Sequence, residues 1–212
     1  MHTAASVSSD EIGATRVRSF GILSTFPPTS CGIATFTAAL AAGLIGDGAS
    51  VNVVRCGPAP DIEDVLVVAS LDDSTDVGHR RAIDALNLND LVIVQHEYGL
   101  YDGADGEFVI DVIASITAPV VVVAHTVLTA PTTNQRRVLV EVCHHAEAIV
   151  VMTETARERL LNIFDVERSK VHLIPHGAAT PLAAPSVSQR RHGPAPRLLT
   201  WGLLGPGKGI EW

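Results

Sequence analysis

No apolar run in this 212-residue chain reaches the ~18 residues that a membrane-spanning helix needs. The longest, near Ala118–Ala124, suits a buried strand. Residues 1–16 have no apolar h-region, so no secretory signal is read there, and a disordered leader is expected instead. Cysteines are few, odd in number and far apart, at Cys31, Cys56 and Cys143, which fits neither a disulfide framework nor a zinc motif. A reducing, cytoplasmic setting is the expectation, with a peripheral position at the inner membrane face as its variant. An excess of basic charge is also lacking. The formal net charge is −8, which argues against a general nucleic-acid binder, because phosphate neutralisation needs a basic surface. Dinucleotide GxGxxG and Walker loops are absent as well.

What is present is a strong hydrophobic component, 47% of residues with a mean hydropathy of +0.29, enough to bury a real core. Strand-like and helix-like runs alternate along the chain. Val17–Leu23, Val51–Arg55, Val65–Val68, Leu91–Val94, Val120–Ala124, Ala148–Met152 and Val171–Ile174 read as strands. Ile33–Ile45, Gly78–Leu88, Phe108–Ile116, Thr132–Ala146 and a segment opening at an N-cap, Thr153, read as helices. Repeated βα alternation with all-apolar strands predicts a doubly wound, mostly parallel α/β sheet of Rossmann-like type over residues 17–177. Residues 178–196 hold four prolines and no periodicity, and read as a linker. Residues 197–212 then open a second unit: a strand, Arg197–Trp201, runs into Gly202-Leu203-Leu204-Gly205-Pro206-Gly207-Lys208-Gly209, a glycine-rich turn with a lysine. The expected organisation is one α/β domain joined to the first strand of another.

In such sheets ligands bind beyond the carboxyl ends of the strands. Gly32 follows the first strand, where the next helix starts; it reads either as a glycine that only permits a tight turn, which a lone glycine loop favours, or as the opening of backbone N–H groups toward an anion. Gln95-His96-Glu97-Tyr98-Gly99 follows the Leu91–Val94 strand, His125-Thr126 the Val120–Ala124 strand, and His176-Gly177 the last. One such histidine is more often structural, but three at equivalent ends favour a binding crevice. No pair has helical metal-ligand spacing, and no metal is expected. The clusters His79-Arg80-Arg81 and Arg136-Arg137 read as solvated helix faces, and Asp72-Asp73 as an acidic loop. Cys31 adjoins a helix start, but no histidine lies near it in sequence, so a catalytic thiol is the weaker reading.

With the Gly32 loop, His125-Thr126, the Ala148–Thr153 run, Lys170–Gly177 (KVHLIPHG) and GLLGPGKGIE in this order, the chain resembles the N-terminal half of a retaining GT-B glycosyltransferase. The superfamily is the glycogen synthase-like and mannosyltransferase-like one, and the resemblance covers about residues 18–211. It implies two Rossmann-like domains facing across a cleft, an N-terminal one for the acceptor and a C-terminal one for a nucleotide-sugar, with no metal or other cofactor. It implies that Gly32 lies close to the donor phosphates and that Lys208 pairs with the diphosphate. It further implies that His125 positions the transferred sugar, and that Gln95, His96, Glu97 and Thr126 border the sugar and acceptor. Leu203 stands where the family commonly has arginine, so one diphosphate contact is missing or supplied elsewhere. The implied activity is hexosyl transfer to a sugar or lipid-linked acceptor. The half alone is implied to be inactive, and completion by a C-terminal domain or partner chain is expected. The second reading is a non-catalytic α/β module that kept the fold and binds carbohydrate or a partner.

Overall fold

The computed structural model describes residues 17–57, 64–71 and 76–177. The expected leader, the Asp72-Asp73 loop, the linker over 178–196 and the 197–212 segment with Lys208 lie outside the described residues.

Seven strands form one sheet: β1 (Ser19–Ser24), β2 (Ser50–Cys56), β3 (Val67–Leu71), β4 (Leu91–His96), β5 (Val120–Ala124), β6 (Ala148–Val151) and β7 (Val171–Leu173). Every neighbouring pair is parallel, and the order is β3-β2-β1-β4-β5-β6-β7. Parallel pairing demands crossovers, and helices supply most of them: α1 (Gly32–Gly46), α2 (Asp76–Asn87), α3 (Phe108–Ala114), α4 (Thr133–His145) and α5 (Glu154–Asn162). The chain runs outward from β1 to β3 and then returns to lay β4 beside β1. The carboxyl ends of β1 and β4 therefore flank a topological switch point, where such folds open a crevice.

Strand residues alternate between two unequal layers. On one face Leu23, Val54, Val92, Val94 and Val122 are buried with residues of α2 to α5, such as Leu86, Val112, Leu139 and Leu160. On the other face Ile22, Val51, Val53, Ile93 and Val123 meet α1. That helix approaches closely because its fully buried positions are small, Ala34, Thr37 and Ala41. Thr37 forms a 2.7 Å hydrogen bond with Ser24 at the end of β1. Phe36, Leu40 and Leu44 are half-buried beside that contact line.

Some boundaries differ from the sequence expectation. β3 starts at Val67, not Val65, because Asp64 turns the chain first: its side chain accepts from Leu66 N–H and its carbonyl from Val67 N–H. Val65 is left 97% exposed. Helix α2 ends at Asn87, where the Asn89 amide donates to the carbonyls of Ala85 and Leu86 and stops the helix. Leu88, expected inside the helix, is outside it and exposed. Helix α3 stops at Ala114, where Ser115 Oγ donates back to the Asp111 carbonyl. Among the described residues no helix is long and apolar enough to cross a membrane.

Candidate functional site at the carboxyl edge of the sheet

The end of β4 splits two neighbouring polar residues between the two faces. Gln95 follows Ile93 onto the α1 side, and His96 follows Val94 into the larger core. Both are buried, Gln95 fully and His96 to 1% exposure. The Gln95 carbonyl accepts from the buried Tyr101 hydroxyl at 2.7 Å, which pins the strand end. The His125 N–H donates to the His96 carbonyl at 3.0 Å, so the residue after β5 is held as firmly as the strand.

His125 and Gln95 meet side chain to side chain, Nε2 to Oε1 at 2.6 Å. The Phe36 and His125 rings stand perpendicular with centroids 5.2 Å apart, and His176 packs against the same phenyl ring with centroids 5.1 Å apart. Phe36 thus bridges two of the three strand-end histidines. Burial, with a smaller contribution from the charge of His176, lowers the His125 pKa to about 4. Its imidazole is therefore neutral near pH 7.

Beside this pair, the Thr126 hydroxyl donates to Glu97 Oε2, and Glu97 Oε1 accepts from the Tyr98 N–H at 3.0 Å. The half-buried carboxylate keeps lone pairs free for a polar ligand. Gln95, His125, Glu97 and Thr126 therefore form one polar edge next to the switch point. His96 does not join it. Strand alternation places it on the far face, edge-on to Tyr98 at 5.3 Å, and burial lowers its pKa to about 4. Gly32 opens α1, one turn before Phe36, and is exposed. A Cβ there would meet nothing within 4 Å, so packing among the described residues does not ask for glycine.

The loop from Glu97 to Glu107 is built to stay in place. Both oxygens of Asp105 are engaged, by Asn134 Nδ2 at 2.9 Å and Gln135 Nε2 at 3.2 Å. Those residues belong to the first turn of α4, whose N-cap, Thr132, makes a full capping box with Gln135. Three members of the basic clusters have local partners. Arg137 pairs with Glu107, Arg136 donates to the Ile163 carbonyl and lies over the Phe164 ring, and His79 packs on Phe108. Cys31 is the N-cap of α1, its sulfur accepting from the Ala34 N–H at 3.2 Å. Arg55, buried on the α1 side at the end of β2, ties down the preceding loop through Thr29 Oγ1 at 2.6 Å.

Sequence reasoning did not single out Phe36 as part of this edge. The only signal for it was an aromatic residue one turn into the helix after the Gly32 loop. Among the described residues no cluster of three or more His, Cys, Asp or Glu side chains is arranged to hold a metal ion.

A groove of about 770 Å³ runs along the α1 side of the sheet from this edge, lined by Phe20, Phe36, Leu40, Leu91, Val121 and Met152 among others. Phe36 belongs to both features.

Comparison with known proteins agrees with this architecture. An alpha-glucosyltransferase in complex with UDP-glucose and DNA containing an abasic site superposes with a TM-score of 0.50 at 14% identity, over 69% of this chain and 39% of that one. An alpha-glucosyltransferase in complex with UDP and a 13-mer DNA with a central A:G mismatch gives a TM-score of 0.45 at 15% identity, over 66% of this chain and 38% of that one. The chain thus spans about two fifths of the length of these structures, and at 14% identity the likeness with a TM-score of 0.50 speaks to the fold alone. No curated protein matches. The domain is an N-terminal GT-B-like α/β unit, and because the model of Glycosyltransferase Family 4 matches residues 31–180, the chain belongs to that family.

Proposed function

We propose that this domain is the acceptor-side half of a retaining, nucleotide-sugar-dependent hexosyltransferase. The observation that carries this reading is the convergence of Gln95, His125, Glu97 and Thr126 at the switch point of a Family 4 domain. Hydroxyl-rich ligands need both donors and acceptors, held rigidly, beside an apolar wall. This edge has a neutral imidazole, an amide, a hydroxyl and a carboxylate, with Phe36 as the wall.

In this reading His125 contacts the transferred sugar, Glu97 and Thr126 take hydroxyls on the acceptor side, and Gln95 supports His125. The exposed N-terminus of α1 at Gly32 lies close to the donor phosphates, where backbone N–H groups favour an anion. Lys208, outside the described residues, supplies a point charge to the diphosphate. His96 contributes through packing and not through contact with ligand.

The reaction breaks the bond from the anomeric carbon to the diphosphate oxygen and forms one to the acceptor hydroxyl oxygen on the same face. The hydroxyl proton leaves with the diphosphate. Charge develops on the leaving group and on the ring, so stabilisation is electrostatic and needs a closed cleft. Residues 17–177 form one wall only, and in this reading they transfer no sugar by themselves. A C-terminal domain, on this chain or a partner, completes the site. No metal or cofactor has a part in this scheme.

A cytoplasmic setting and a sugar or lipid-linked acceptor complete the proposal. The expectation that nucleic acid is no partner rests on the net charge of −8. It draws no support from the two glucosyltransferase structures, both of which hold DNA.

The test is sugar transfer from a panel of nucleotide-sugars by the protein with its second domain in place. His125→Ala should lower kcat by about 10²-fold or more. Carbohydrate binding without any turnover would favour the non-catalytic module. Turnover by the 212-residue chain alone, lost in His125→Ala, would refute the need for a second wall.

A further inference from the structure

We infer that Gln95 is a positioning residue that sets the tautomer of His125, holding the proton on Nε2 and leaving Nδ1 as a hydrogen-bond acceptor for a ligand hydroxyl. The inference deepens the proposed function, because it rests on His125 being the sugar-contacting group.

The geometry is specific. Gln95 is fully buried, its backbone carbonyl is held by Tyr101, and its side-chain oxygen faces His125 Nε2 at 2.6 Å. An amide oxygen has no proton to give, so with Oε1 on the His125 side the proton belongs to the imidazole Nε2. Among the described residues Gln95 makes the only hydrogen bond to the His125 ring, and Phe36 packs edge-on against it. Gln95 Nε2, on the side of the amide away from His125, is buried and has no partner among the described residues. The backbone of His125 is tied to the end of β4. Burial keeps the ring neutral, so one tautomer persists across the neutral pH range.

The consequence is selective recognition. A neutral imidazole with a free Nδ1 lone pair accepts from a hydroxyl, so it rejects a ligand that presents only an acceptor at that point. A buried hydrogen-bonding group left unmatched discriminates far more strongly than a small change in apolar contact.

The experiment is nitrogen NMR of the full chain with 15N-labelled histidine at neutral pH, with the His125 signals assigned by their loss in His125→Asn. The expected result is an Nε2–H imidazole favoured roughly tenfold or more over the other tautomer. Gln95→Leu should collapse that preference to a mixture, and Gln95→Glu, which restores an acceptor oxygen, should recover it. If Gln95→Leu does not fold, the wild-type tautomer and the Gln95→Glu spectrum still decide. An Nδ1–H imidazole in the wild type overturns the inference, as does a tautomer unchanged in Gln95→Leu. No ligand or turnover enters this measurement, so its failure is separate from a failure of the sugar-transfer assay.

Discussion

At the residue scale, two histidines have different settings but a shared response to acid. His96 is enclosed in the main core, and His125 stands at the polar edge, yet burial holds both pKa values at about 4, well under the ordinary histidine value of 6.5. An unfolded chain takes up these protons first. Stability from the neutral histidines is therefore complete above pH 6.5 and is lost as pH falls toward 4. For the enclosed His96 the loss is on the order of 3 kcal/mol across that window. Urea midpoints taken from pH 7 down to pH 4 should fall less steeply in His96→Leu than in wild type; parallel curves would refute the assignment. A second residue-scale prediction concerns Gly106. Its φ is +75°, and a Cβ would come within 2.9 Å of the Tyr98 carbonyl oxygen. Gly106→Ala should cost about 2–3 kcal/mol, the sum of a left-handed alanine and a backbone clash, read as a lower denaturant midpoint. An unchanged midpoint would mean that the Glu97–Glu107 loop is not held as described. The strand-end positions of His125, Gln95 and Glu97 were legible in the sequence, because each follows an apolar run. The separation of Gln95 from His96 was not. Period-two alternation says that neighbours face opposite ways, but which face lies under α1 depends on the crossover, and that is tertiary information.

At the scale of elements, the sequence carried strand and helix identity well where burial enforces it. β5 and the first four residues of β4 are apolar on both faces, the pattern that suits a central parallel strand. The edge was harder to read. β3 has a neighbour on one side only and carries a half-buried pattern, so the Asp64 turn, and not hydrophobicity, decides where it starts. Phe36, Leu40 and Leu44 marked α1 as a helix, yet the deepest contact is made by the small residues Ala34, Thr37 and Ala41. Side-chain size limits how near a helix comes to a sheet, and a hydrophobicity pattern does not show that. Helix α4 gives a test at this scale. Its Thr132 side chain accepts from the Gln135 N–H, and Gln135 returns the bond to the Thr132 N–H. Thr132→Ala should cost about 1 kcal/mol and Thr132→Ser much less, measured as unfolding free energy. Since Gln135 also binds Asp105, Thr132→Ala should speed amide exchange at the first turn of α4 and in the Ala104–Glu107 turn together. Faster exchange in α4 alone would show that the loop does not depend on the cap.

At the scale of the whole molecule, the two faces of the sheet are covered unequally. Helices α2 to α5 pack on one face, whereas α1 is the only described helix on the other and crosses it at the β1–β2 side. Beyond α1 the sheet presents Leu91, Val121, Val150 and Met152 to the groove, whose lining is overwhelmingly apolar. Exposed apolar surface of this extent attracts apolar ligands. The chain should therefore enhance the fluorescence of an anilinonaphthalene dye at neutral pH while fully folded. The responsible side chains are separable from the main core: Leu40 and Leu44 are only half-buried and line the groove, whereas Val53 is fully buried beneath α1. The double variant Leu40→Gln and Leu44→Gln should cut the dye signal several-fold and cost about 1–2 kcal/mol, since part of each side chain already meets water. Val53→Ala should instead leave the dye site intact and cost about 2 kcal/mol or more, through the cavity it leaves under the helix. A dye signal unaffected by the Leu40 and Leu44 changes would place the exposed apolar surface elsewhere. A wild type that binds no dye would mean that the groove is covered in the full chain.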